Sequence, residues 1–135
     1  MRKFLIASHG RFSSGIRTSL ELIIGPVENL YVIDAYAEGN HSAEENIREV
    51  MDHLSEADEM IVFTDIMGGS ITNQVVSQSK GRKVHVVSGT NLPLLIDIVL
   101  AGEEIPAREV IEESIGRAKE QIVYINKLIT QETAL

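Results

Sequence analysis

Four short apolar runs, each followed by a segment with helical spacing, limit this chain to few folds. The runs 3-KFLIAS-8, 30-LYVIDA-35, 60-MIVFTD-65 and 84-VHVVSG-89 are apolar nearly throughout. Such runs read as strands buried on both faces rather than half-exposed ones. Between the first two, residues 12–24 put Ile16, Leu20 and Ile23 at helical spacing and stop at 25-GP-26. Ser42 and Glu45 form a capping-box pattern that opens a second helix to about residue 55, with Ile47, Val50 and Leu54 inward. A third helix is expected over 70–79. Pro93 suits the first turn of a fourth, which stops at Gly102. A last helix is expected over 107–129, with Val110, Ile111, Ile115, Ala118, Ile122, Ile125 and Ile129 on one side. Strands alternating with helices across short connections predict an α/β fold with a mainly parallel four-stranded sheet and helices on both faces; the arrangement taken here is doubly wound with strand order 2-1-3-4.

Length and composition narrow the function classes. At 135 residues the chain suits one domain, read here as residues 1–130 with a short tail at 131–135. Twelve basic against 20 acidic side chains leave a formal charge of −8, a poor footprint for nucleic acid. The absence of Cys excludes disulfides, thiolate chemistry and Cys-based zinc sites. No His, Asp and Glu grouping has metal-ligand spacing. The apolar run after the basic start, residues 4–7, is too short for a secretory segment. The run 92-LPLLIDIVLA-101 is too short to span a membrane and carries Asp97. A cytoplasmic location is expected.

In open α/β sheets, ligands bind beyond the carboxyl ends of strands, where strand order reverses. With order 2-1-3-4 that point lies between the first and third strands, so 8-SHGR-11 should face 64-TDIMGGS-70. His9 ends the first strand and is the candidate nucleophile, since imidazole is nucleophilic and titrates near neutrality. Asp65 ends the third strand and can accept the His9 Nδ1–H, leaving Nε2 to attack. Gly68, Gly69 and Ser70 lead into a helix whose first amides and dipole suit an anion. The loop lacks Walker spacing and its Lys, so nucleotide binding is not supported. His9, Asp65 and a phosphate-sized pocket suggest phosphoryl transfer through a phosphohistidine. Arg11, Ser13, Ser14, Thr90 and Asn91 lie on loops that can also reach an anion. Arg17, His41, His53 and His85 read as surface or edge residues.

The strand-one segment with His9, then Thr64-Asp65 with Gly68-Gly69-Ser70 and Asn73, then 88-SGTNLPLL-95, resemble the mannose-family enzyme IIA component of the bacterial phosphoenolpyruvate-dependent sugar phosphotransferase system. The resemblance covers nearly the whole chain in order. It implies a doubly wound parallel sheet in a cytoplasmic homodimer; no cofactor is expected, since the transfer needs only the histidine, its orienting group and amide donors. It implies that His9 takes a phosphoryl group from the histidine-containing phosphocarrier protein and passes it to a IIB component, serving membrane IIC and IID components. Asp65 would orient His9, the loop of Gly68, Gly69 and Ser70 would line the phosphoryl pocket, and Asn91 would lie nearby. Two features depart from the family pattern. Ile71 stands where Pro commonly follows Gly-Gly-Ser, and no convincing fifth strand is visible for exchange between subunits. Phe12, Ile66 and Met67 are candidates for an apolar docking rim.

The same residues bear on other folds and activities. The phosphotransfer subunit of a dihydroxyacetone kinase shares the fold and a strand-one histidine. A response-regulator receiver needs an acidic pair after strand one, where this chain has Ser8-His9. A histidine phosphatase would carry Arg-His-Gly there. A non-catalytic ligand-binding or regulatory module would bind phosphate without a covalent bond to it.

Overall fold

A computed structural model of the chain describes residues 1–37 and 43–133. The expected capping-box Ser42 and the surface His41 lie outside those residues. The element order is β1 (Arg2–His9), α1 (Phe12–Ile24), β2 (Leu30–Ala35), α2 (Glu44–Asp52), β3 (Glu59–Thr64), α3 (Ser70–Gln78), β4 (Val84–Val87), α4 (Leu92–Leu100), α5 (Ala107–Glu120) and α6 (Ile125–Thr133). The strands form one four-stranded sheet in the order β2-β1-β3-β4, as expected. All three pairings are parallel, and Ala7 of β1 lies level with Ile33 of β2 and Thr64 of β3.

The apolar strands are shared residue by residue between two cores, because successive strand side chains point to opposite faces. Phe4 and Ile6 of β1, with Ile61 and Phe63 of β3, pack under α1, α4 and α5. Leu5 and Ala7, with Met60 and Val62, pack under α2 and α3. A fully buried aliphatic or Phe side chain contributes about 1.5–3 kcal/mol, so neither face of the sheet can be left open to water.

The C-terminal region corrects one expectation. In place of a single helix over 107–129, α5 ends at Glu120 and α6 begins at Ile125. The inward side of α5 consists of Ala107, Val110, Ser114 and Ala118. Beyond it, Ile122, Val123, Tyr124 and Ile125 are all exposed. The apolar spacing continues, but the surface it would pack against ends near Ala118. Adjacent β-branched Ile122 and Val123 also lower helix propensity where no packing compensates. The fourth strand is also shorter than expected. It stops at Val87, and Gly89 takes a positive φ of 74° as the chain turns towards α4.

Arg2 is one charged residue that belongs to the interior. Only 2% exposed, its guanidinium pairs with Glu59 Oε1 at 2.7 Å and donates to the carbonyls of Gly102 and Ile105. Its backbone N–H donates to Glu103. The buried charge is thereby matched at several atoms, as burial of an ion requires, and β1 is tied to the turn between α4 and α5.

Candidate active site at the sheet switch point

β1 and β3 are neighbours whose following segments cross to opposite faces, α1 to one side and α3 to the other. The gap left at their carboxyl ends is where His9 and Asp65 meet. The His9 ring Nδ1 lies 2.9 Å from Asp65 Oδ2, and the His9 backbone N–H donates to the same oxygen, also at 2.9 Å. The other carboxylate oxygen accepts the Ile66 N–H at 3.0 Å. Three donors thus hold one carboxylate, which fixes the imidazole both at its backbone and at its ring. A carboxylate on Nδ1 selects the Nδ1–H tautomer and leaves the lone pair on Nε2. The His9 side chain is 41% exposed and that of Asp65 is 13% exposed. Burial pushes the Asp65 carboxyl up, but the His9 backbone N–H, the His9 ring, its charge and the Ile66 N–H outweigh it. The net effect holds Asp65 below the ordinary carboxylate range.

The glycine loop lies against the same imidazole. A Cβ placed on Gly69 would stand 3.4 Å from His9 Cε1, the carbon between the two ring nitrogens. Gly68 has φ +77°, which an L side chain adopts only under strain. Ser70 opens α3, and the first-turn amides of Ser70, Ile71 and Thr72 have no intrahelical acceptor. They offer an anion a cluster of donors beside His9. Ile71 at this start is fully buried in the α2–α3 core. Its side chain anchors the helix, and its position keeps an N–H that Pro would remove. The Thr72 hydroxyl bridges Thr64 Oγ1 at 2.9 Å and the Ile66 carbonyl at 2.8 Å, bracing the loop.

The other loop residues are used as supports. Ser13 is buried, and Ser8 Oγ accepts both its N–H at 2.8 Å and its hydroxyl at 2.6 Å. The Ser14 N–H donates to Asp34 at 3.0 Å. The Thr90 hydroxyl donates to the Thr64 carbonyl at 2.8 Å. Asn91 Oδ1 caps α4 through the Leu94 N–H at 2.9 Å, and its Nδ2 donates to the Ala118 carbonyl at 3.3 Å. Both ends of the Asn91 amide therefore serve helix packing in this structure. His53 lies on exposed α2 surface with Nδ1 2.6 Å from the Glu49 carbonyl, and His85 is partly buried in β4. Arg17 pairs with Glu21 one helical turn on. Phe12, Ile66 and Met67 are exposed around the site at 39%, 56% and 86%.

Sequence reasoning did not single out Tyr36 or the Ser8 cap. Tyr36 follows the end of β2 with φ 63°, its ring centroid 5.8 Å from that of His9. An aromatic residue just after a strand is unremarkable in sequence, and its backbone conformation is invisible there.

Comparisons with known proteins place the chain in a family. The profile of the family EIIA-man, PTS system fructose IIA component, matches residues 3–115. The chain belongs to this family. It is 24% identical over 113 residues to the PTS system fructose-specific EIIA component of Bacillus subtilis (strain 168), covering 82% of this chain and 77% of that protein. Among solved structures, it is similar to a protein from Klebsiella pneumoniae provisionally called a phosphoenolpyruvate-dependent sugar phosphotransferase system permease. That match has 35% identity and a TM-score of 0.88, over 95% of this chain and 93% of the other. The phosphotransferase system component EIIA from Streptococcus agalactiae is 29% identical with a TM-score of 0.80, over 94% of this chain and 99% of that one. The match is to the fructose/mannose-type IIA family of the sugar phosphotransferase system. Among the described residues of this IIA component, no helix is long and apolar enough to cross a membrane.

Proposed function

We propose that His9 of this IIA component is phosphorylated at Nε2 by the histidine-containing phosphocarrier protein and hands the group to a IIB component. The observation that carries this is the pairing of a part-exposed His9 with Asp65 through Nδ1 at 2.9 Å. It leaves Nε2 as the ring nitrogen free to attack. In the forward step Nε2 attacks phosphorus, the donor's N–P bond breaks, and its electron pair returns to the donor ring. Nδ1 keeps its proton, and the Asp65 carboxylate offsets the positive charge that develops on the imidazole. The loop of Gly68, Gly69 and Ser70 receives the phosphoryl oxygens on backbone amides and the Ser70 hydroxyl. Asn91 serves the pocket by holding the start of α4 in place beside it. No cofactor or metal enters the step.

Phe12, Ile66 and Met67 form the rim on which the donor and then the IIB component dock in turn. Residues 1–130 act as one phosphocarrier domain in the cytoplasm, coupled through IIB to membrane IIC and IID components. The domain works as a homodimer joined through the exposed apolar stretch from Ile122 to Ile125, which is followed by exposed Leu128 and Ile129.

The test is intact mass after incubation with phosphoenolpyruvate, enzyme I and the phosphocarrier protein. One added, acid-labile phosphoryl group is expected on the wild type and none on His9→Ala. A wild type that stays unmodified beside an active phosphocarrier protein would sink the proposal.

A further inference from the structure

Tyr36 occupies a conformation that its own burial does not account for. It is the one non-glycine residue with positive φ among the described residues, at 63°, yet it is 40% exposed. Holding an L side chain there is strained, and surrounding structure must offset that strain. Two restraints set the position. Ala35 is level with His9 across the sheet, and the Gly10 N–H donates to the Ala35 carbonyl at 2.8 Å, so the end of β2 is pinned beside the nucleophile. The left-handed turn at the next residue then brings the Tyr36 ring to 5.8 Å from the His9 ring at an interplanar angle of 36°. It also brings the phenol oxygen to 3.3 Å from Ser70 Oγ, at the start of α3. One side chain therefore links the proposed nucleophile to the proposed phosphate donors. Asp65 restrains His9 at Nδ1, Gly69 lies by Cε1, and Tyr36 lies against the ring.

We infer that Tyr36 is a positioning residue that holds His9 in its reactive orientation and lengthens the life of the phosphohistidine. This rests on the phosphocarrier reading above. Spontaneous loss of the group is a hydrolysis. A water oxygen bonds to phosphorus, the Nε2–P bond breaks with its electron pair returning to Nε2, and both water protons leave on inorganic phosphate. The Tyr36 ring restricts the approach of water from its side. Its hydroxyl, already beside Ser70, adds a donor for the phosphoryl oxygens.

The experiment follows decay of the purified phosphorylated chain, free of partners, by intact mass over time. Wild type, Tyr36→Phe, Tyr36→Ala and Tyr36→Gly are compared, with ring-nitrogen NMR of His9 and thermal unfolding alongside. The alanine and glycine variants, which lose both the ring and its hydroxyl, are expected to lose phosphate about three- to tenfold faster. Phenylalanine should fall between them and wild type. Glycine relieves the strained φ, so its melting temperature should match or exceed wild type, which separates positioning from folding. The His9 ring signals should broaden or shift in both truncations. Normal uptake with wild-type decay and unchanged ring signals in alanine and glycine would overturn the inference alone. No uptake by wild type would overturn the phosphocarrier reading and this inference with it.

Discussion

At the scale of the residue, Asp65 decides what His9 can do. Its Oδ2 accepts from both the backbone N–H and the ring of the same histidine. Replacing it with Asn removes the charge and can offer an N–H to Nδ1, which favours the wrong tautomer. Phosphoryl uptake by Asp65→Asn should fall at least about a hundredfold in rapid-quench kinetics, while the fold persists. The carboxylate also links stability to pH. Its folded pKa lies below its unfolded value of about 3.9. The contribution is therefore complete above that value and is lost as pH falls through the folded one. Denaturant titrations from pH 7 to pH 3 should show wild type losing more stability than Asp65→Asn across the acid end. Equal losses would mean that the pair contributes nothing to folding.

At the scale of the element, helix starts carry the site. Ser8 receives the first turn of α1, and Asn91 caps α4 while reaching the Ala118 carbonyl of α5. Asn91 was a candidate for the phosphate pocket because it follows a strand end. The structure engages its amide in helix ends instead. Asn91→Ala should cost about 1 kcal/mol of stability, the usual worth of an N-cap, read from urea unfolding. A large loss of phosphoryl uptake with little loss of stability would return Asn91 to the anion. Helix ends also explain the miss at the C-terminus. The apolar spacing runs from Val110 to Ile129, but burial stops at Ala118. Periodicity counts apolar side chains and does not reveal whether a surface faces them.

At the scale of the molecule, the exposed residues from Ile122 to Ile125 are the surface through which the proposed dimer would form. Replacing Ile122 and Val123 with Asp should convert a dimer to a monomer in sedimentation, and a wild-type monomer would remove the proposed dimer. Much of this protein is legible in its sequence. Doubly buried strands require uninterrupted apolar runs, so the four strands and both covered faces follow from those runs, and their parallel pairing follows from the helices between them. His9, Asp65 and the loop of Gly68, Gly69 and Ser70 follow too, because strand ends at a switch point are short stretches in known places. The tertiary structure alone decided what depends on contacts between distant segments. Arg2, basic and N-terminal in sequence, became a buried clamp because Glu59 and the carbonyls of Gly102 and Ile105 converge on it. Ile71 became an anchor because α3 turns it into a core. Tyr36 came to lie against His9 because sheet register and one left-handed dihedral place it there, and neither is written in residue type.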